Sequence, residues 1–458
     1  MDVNTDPNNP STAPIKMVIP VAQTSTASNY NWFLMTYGSI WAEHFSQNFT
    51  SHQYDVVNDY NPQPDAFNNL WAQSFSEGLN DWKFVLTTAE EAEDWAAYLV
   101  ATCMTAFQFA FLVDCFDQVP YSEGLQGKEA VFAPKFDDGS TVYADLIRRL
   151  NDAVSKDFSL VSNSQLGTSD FVFAGDVNKW KAFANTLKLK LYLRQTNVAN
   201  VTANLTECLN SPLGFVSEAL ISGFTNEAGK RNPWFGVNLA PEGLGTPNFR
   251  ASNVLMDYLK NANDARIGGI FTPGSGAGGV FNSMVFGGRL NAEYVGVADA
   301  NGLANTIATP NIKTTDPVYF FTKAQVYFMT AEAKERTGQS GQADYEAGVT
   351  ASFVDFGATA ADAAALLVAD YAYPTGTLED KVEAIITQQW VASAVRLPIE
   401  AWFDYNRTGY PRFLVPSANT QLGGALLPKR FFYPATEVAR NVNTPPQKEI
   451  STPVWWGK

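Results

Sequence analysis

Tyrosines standing beside carboxylates and amides are the side chains best suited to chemistry on a ligand. Between Gln47 and Asn69 the chain carries Tyr54, Asp55, Asn58, Asp59 and Tyr60, in a polar stretch broken by Pro62 and Pro64. A tyrosine ring offers an apolar face on which a sugar or a peptide stacks, and adjacent Asp and Asn groups fix its orientation. The same residues also suit a loop pinned by its own tyrosines. A second group, Trp234, Phe235, Phe281, Phe286 and Tyr294, stands in or beside loop-like sequence between Asn210 and Thr315. Loops on a rigid scaffold are where binding residues concentrate, so ligand contact is expected at Tyr54, Tyr60, Trp234, Phe235, Phe281 and Tyr294.

Other candidate chemistry is weaker. Glu400 and Asp404, one turn apart if helical, are the first choice for two-carboxylate glycoside hydrolysis. With 46 acidic side chains, however, some pair reaches a workable separation in any fold, and the structural reading is adopted. His44 and His52, the only histidines, are not on adjacent helical turns. Asp137, Asp138 and Asp145 lack the spacing of a calcium loop. The cluster Thr272-Pro273-Gly274-Ser275-Gly276-Ala277-Gly278-Gly279 lacks the Gly-Lys-Ser/Thr ending of a phosphate loop. No catalytic residue, metal ligand or cofactor is expected.

The elements that must position these residues read as helices. Thr377 and Asp380 form a capping pair ahead of the stripe Val382, Ile385, Ile386 and Trp390. Glu400 to Pro411 follows as an aromatic, charged run closed by Gly409 and Pro411, which predicts a buried corner. Thr88 to Val113 predicts a helix capped by Thr88 and Glu91, and Asn31 to Phe49 another with Phe33, Tyr37, Ile40 and Trp41 on one face. Tyr143 to Ser159 and Asp176 to Gln195 form a further pair. In the second, Lys179, Lys181, Lys188, Lys190 and Arg194 read mostly as a solvated face. Thr322 to Gly338 and Gln342 to Gly357 predict a hairpin with a cap at Thr322 and a glycine after each helix. It resembles one tetratricopeptide unit, without a fixed 34-residue period along the chain. Residues 1–27, rich in Asn, Pro, Thr and Ser, predict an extended tether, and 28–458 a single mainly α domain with a loop-rich insertion at about 210–315.

Gln389-Trp390, Glu400-Ala401-Trp402-Phe403-Asp404 and Arg407-Thr408-Gly409-Tyr410-Pro411 resemble the C-terminal signature of SusD/RagB-type proteins. Four more stretches agree in order: Asp2 to Asn8; Gly175-Asp176 through Trp180 to Arg194; Ala324 to Phe356; and Pro428-Lys429-Arg430-Phe431-Phe432-Tyr433-Pro434 with Trp455-Trp456. The resemblance implies a tetratricopeptide-like scaffold of helical pairs with long irregular loop insertions. It also implies a cell-surface nutrient-binding lipoprotein of the outer membrane that serves a SusC-like TonB-dependent transporter. In that family the Asp2 to Pro7 segment follows a signal peptide and a lipid-modified cysteine, so membrane attachment is expected only through an anchor preceding this segment. The alternative is a cytoplasmic protein beginning at Met1.

Composition sets the outer bounds. With 46% apolar and 13% aromatic residues the chain of 458 is long enough for a sizeable core. The balance of 31 basic and 46 acidic side chains gives a net charge of −15, which repels phosphate backbones, so nucleic acid is not an expected partner. Cys103, Cys115 and Cys208 are expected as free buried thiols, and no uninterrupted apolar run is long enough to span a bilayer. The favoured function is capture of a glycan, with an oligopeptide as the alternative ligand. A glycoside hydrolase and a purely protein-assembling scaffold are the competing classes.

Overall fold

A 22-residue helix, Trp95–Phe116, is the axis of the protein. Asp94 caps it by accepting from the Ala97 amide at 3.2 Å. It is long and apolar enough to cross a membrane, yet it is covered by Ile15–Asn29, Asn80–Glu91, Gly139–Val154 and Val177–Arg194 and buried almost throughout. The predicted cap at Thr88 and Glu91 is not used. Both residues end the preceding helix, Asn80–Glu91, and the chain turns through Glu93 at φ 51 before Asp94 starts the next.

The computed structural model describes residues 13–245, 248–275, 279–288 and 304–458. The predicted tether is corrected over its described part: Ile15–Asn29 is a helix. It buries Gln23 and Thr26 as well as Ile19 and Ala22. Gln23 donates to Asp170 at 2.7 Å, and Thr26 both donates to Gln108 at 3.1 Å and accepts from the Trp82 indole at 3.0 Å. Because hydrogen bonds rather than large apolar side chains hold this face, the sequence carries no stripe to announce it. The predicted Asn31–Phe49 helix is shorter: wide π turns at Tyr30–Leu34 lead into Met35–Trp41, and Phe45–Gln47 is a strand. The helix predicted at Tyr143–Ser159 runs from Gly139 to Val154.

Elsewhere the capping chemistry holds. Thr377 and Asp380 form a reciprocal box at the start of Leu378–Ser393. Thr322 accepts from the Gln325 amide at 3.1 Å at the start of Lys323–Arg336. The partner helix, Gln342–Asp355, approaches closely at Gly348, where a Cβ would stand 2.7 Å from the Phe328 ring. Gly338 and Gly357 follow the two helices at φ 77 and φ 78, the left-handed region in which glycine costs nothing sterically. The architecture is therefore mainly α, built from helical pairs. Its described strands form four short antiparallel pairs, including Phe45–Gln47 with Phe249–Ala251 and Ala219–Ile221 with Val318–Phe321. The three cysteines are buried and free.

Candidate ligand-binding face

The aromatic, charged run after Pro398 is the helix Pro398–Thr408, closed by Gly409 at φ 79. Its carboxylates face inward. Glu400 accepts from the Tyr30 hydroxyl at 2.5 Å, Lys190 at 2.5 Å and Arg194 at 2.6 Å. Asp404 accepts from Arg194 at 2.5 Å and from Gln389. Arg407 forks onto both oxygens of Glu332 at 2.6 and 2.7 Å, the bidentate geometry guanidinium favours. Lys188, Lys190 and Arg194 are thus not a solvated face but buried side chains. Lys190 and Arg194 are balanced by buried Asp114, Glu400 and Asp404, whereas Lys188 donates to Asn151 at 2.8 Å. Burial pushes the Glu400 and Glu332 carboxyls upward, but the adjacent cations outweigh it; Glu400 is held below the usual range and Glu332 at about 2. The cavity touching Glu400 has a volume of about 10 Å³, room for about one water and none for a sugar.

In front of this corner, three loops and a short helix meet. Tyr54 donates its hydroxyl to Asn238 at 2.5 Å, and its amide donates to Gln47 at 2.9 Å. Its ring packs on Phe249 at 5.1 Å, and Trp234 packs on the same ring at 5.0 Å. Asn232 caps the helix Pro233–Asn238 that carries Trp234, Phe235 and Asn238, and Asn31 accepts from the Trp234 amide at 3.1 Å. The structure therefore joins Tyr54 with Trp234 and Phe235, residues 180 positions apart in sequence. Tyr60 lies toward another ring, Phe286, at 6.3 Å. There the 281–288 and 411–422 segments close on each other: Asn419 donates to the Gly287 carbonyl at 2.6 Å, and the Ala418 amide to that of Phe286 at 3.0 Å. Gly287, at φ 74, leaves no room for a Cβ, which would stand 1.9 Å from the Ser417 hydroxyl.

Two of the predicted contact residues are corrected. Trp234 and Tyr60 are buried, at 0% and 1% exposure, so neither ring presents a face to a ligand. They filled apolar space better than the loop could leave open, and their role is to hold the surface. Tyr54, Phe235 and Phe281 are half-buried and remain at the surface. Tyr294 lies outside the described residues. Exposed apolar side chains that the sequence reading did not single out complete this face: Val285 at 41%, Phe413 at 40% and Val415 at 45%. A signal existed for Phe413, a large ring immediately after a turn-forming Tyr-Pro-Arg.

Behind Val415 sits Glu43, buried and left-handed at φ 59, both of whose oxygens accept from the Val415 amide at 2.9 and 3.0 Å. Burial pushes its carboxyl well above the ordinary value. The neighbouring His44 packs against Trp390 at 5.2 Å with the rings tilted by 45°, and burial lowers it to about 3. His52 pairs with Asp55 at 2.8 Å. Asp137 is occupied by the Tyr121 and Ser122 amides, and Asp145 by Tyr121, Arg148 and Arg149. Among the described residues no group of three or more His, Cys, Asp or Glu is placed to hold a metal ion. Separate grooves of about 640 Å³ beside Tyr319 and Tyr327 and about 780 Å³ beside Phe84 and Leu125 lie on other parts of the surface.

Residues 7–434 match the profile of the SusD-like family described as starch-binding and associating with the outer membrane. The fold is similar to that of a SusD homologue from Bacteroides uniformis, at 23% identity and TM-score 0.81, covering 96% of this chain and 99% of that one. It is similar also to a chitin-binding SusD homologue from Flavobacterium johnsoniae, at 19% identity and TM-score 0.79, covering 96% and 98%. A SusD/RagB family protein from Bacteroides thetaiotaomicron matches at 19% identity and TM-score 0.80, covering 98% and 100%. No protein of curated function matches the chain in sequence.

Proposed function

This chain belongs to the SusD-like family, and from that premise we propose that it is a non-catalytic glycan-binding protein of the outer cell surface that passes its ligand to a SusC-like TonB-dependent transporter. The family's description as starch-binding, and the chitin-binding relative of the same fold, support a glycan over a peptide. The observation that carries the reading is the loop face itself. Tyr54 stands half-buried on Phe249, which Trp234 backs, with Asn238 fixing the tyrosine hydroxyl and the half-buried Phe235 on the same short helix as Trp234 and Asn238. Rigid rings beside amide groups are the composition a sugar needs for stacking and orientation, and they break no bond.

The enzymatic alternative has less support. Glu400 and Asp404 are matched by Arg194, Lys190 and Gln389 in a space that admits no sugar ring. A general acid must reach the glycosidic oxygen, and both carboxylates are buried away from the surface a sugar could reach.

Calorimetric titration with oligomers of N-acetylglucosamine, α-linked glucose oligomers and mixed oligopeptides tests the proposal. Binding of either glycan, weakened by Tyr54→Ala and Phe235→Ala, supports it. Binding of peptides alone makes the ligand a peptide, and release of new reducing ends makes the protein an enzyme. Co-purification with a TonB-dependent transporter from the outer membrane tests the hand-off, and a chain that never associates with one overturns that part.

A further inference from the structure

Phe413 ends a column of aromatic rings that is rooted in the protein's interior. Its ring stacks on Tyr258 at 5.4 Å and 26°, and Tyr258 stacks in turn on Tyr371 at 5.9 Å and 3°. Trp390 stands edge-on to both outer rings, at 5.3 Å from Phe413 and 5.8 Å from Tyr258. The root is ionic and fully enclosed. Tyr371 donates to Asp264 at 2.7 Å, Asp264 pairs with Arg266 at 2.6 Å, and both members of that pair are 0% exposed. Arg266 donates to Gln388 at 2.9 Å, and Gln388 donates to the Tyr258 hydroxyl at 2.9 Å. The Trp390 indole donates to the Ala42 carbonyl at 2.7 Å. Every polar group on the column's rings is tied, so the column has no freedom to fold Phe413 inward.

The outermost ring is nonetheless 40% exposed. One face rests on Tyr258 and an edge meets Trp390, which leaves the opposite face toward solvent. Beside it, Arg412 is 65% exposed and pairs with Glu383 at 3.0 Å. Two residues on, Val415 is held in place by Glu43. We infer that Phe413, backed by the Tyr258–Tyr371 column, is a stacking platform for a pyranose ring of a neutral oligosaccharide, with Arg412 and Glu383 as donor and acceptor for its hydroxyls. The C–H face of the sugar meets the ring. The Arg412 guanidinium, which lies over the Tyr410 ring at 5.0 Å and pairs with Glu383, meets the sugar's hydroxyls at the side of the platform. Fixing the aromatic face in advance removes the cost of ordering it when ligand arrives. The inference rests on the glycan-binding reading and adds to it a subsite on the 411–422 segment, distinct from Tyr54 and Phe235.

The test titrates the N-acetylglucosamine hexamer and maltoheptaose into wild type, Phe413→Leu and Phe413→Tyr, with Phe235→Ala alongside. Leucine keeps apolar contact with Tyr258 but has no ring face, whereas tyrosine restores one. Phe413→Leu is expected to lower affinity for the bound glycan about tenfold, with an unchanged melting temperature, and Phe413→Tyr to return it to the wild-type value. Saturation-transfer difference spectra are expected to lose their strongest sugar C–H signals only in the leucine variant. Full affinity in Phe413→Leu, while Phe235→Ala weakens binding, overturns the platform and leaves the glycan-binding reading standing. A wild type that binds neither glycan overturns both.

Discussion

Behind the Pro398–Thr408 helix the chain gathers charged side chains, and in front of it aromatic and aliphatic ones, to opposite ends. Behind, Glu400, Asp404, Glu332 and Asp114 meet Lys190, Arg194 and Arg407 in a buried cluster, with Arg336 adding a fourth cation on Glu332 from its edge. In front, Tyr54, Phe235, Phe413 and Val415 stay partly open, and the buried Glu43 accepts from the backbone amide of Val415. A buried polar cluster whose members bond to one another determines shape. One whose rings stay uncovered keeps interaction capacity for a ligand.

Breaking the rear cluster should have the largest effect. Arg194→Met strands carboxylates already out of water and is expected to destabilise the protein by about 3–5 kcal/mol, read as the urea midpoint; an unshifted midpoint would show the cluster to be dispensable. Trp234→Ala removes a fully buried ring from under the front face and is expected to cost about 3 kcal/mol. It should also weaken glycan binding by displacing Tyr54, and a stable variant with full affinity would disconnect the two.

Two buried carboxyls, Glu332 in the rear cluster and Glu43 near Val415, should respond oppositely to pH. The cations beside Glu332 lower its carboxyl from 4.5 to about 2 against burial, so its stabilisation is present above pH 4.5 and is lost as pH falls through about 2. Glu43 is raised, so its contribution is complete below pH 4.5 and is lost as pH climbs toward its folded value. Melting temperatures from pH 4 to 9 should therefore decline more for wild type than for Glu43→Gln. Parallel curves would remove Glu43 from the account. The smallest effect is expected from Tyr54→Phe, about 1 kcal/mol in stability for the lost bond to Asn238, with a several-fold loss of glycan affinity. Equal affinity would reduce Tyr54 to a packing residue.

Local signals were read most reliably where local chemistry decides. The box at Thr377, the caps at Asp176 and Thr322 and the glycines after the hairpin helices act within four residues, and the structure uses them. Thr88 is the instructive exception, because a cap is only as good as the absence of a helix already running through it. The lysine run failed for a different reason. Alternation of Lys and Leu in Lys188-Leu189-Lys190-Leu191 suggests a surface, and only the arrival of Glu400 from 210 residues away makes burial of Lys190 affordable. The candidate face shows the same limit. Its residue types pointed to stacking, but Trp234 and Tyr60 went inward while Phe413 stayed out.

The sequence by itself determined the family, the helical scaffold, the net charge of −15 and the structural nature of the corner around Arg407, because ordered motifs and short-range capping are written along the chain. Tertiary structure alone decided which aromatic rings face solvent and which carboxylates find cations. Both depend on surface removed from water and on partners hundreds of residues distant, and neither quantity has a local sequence signature.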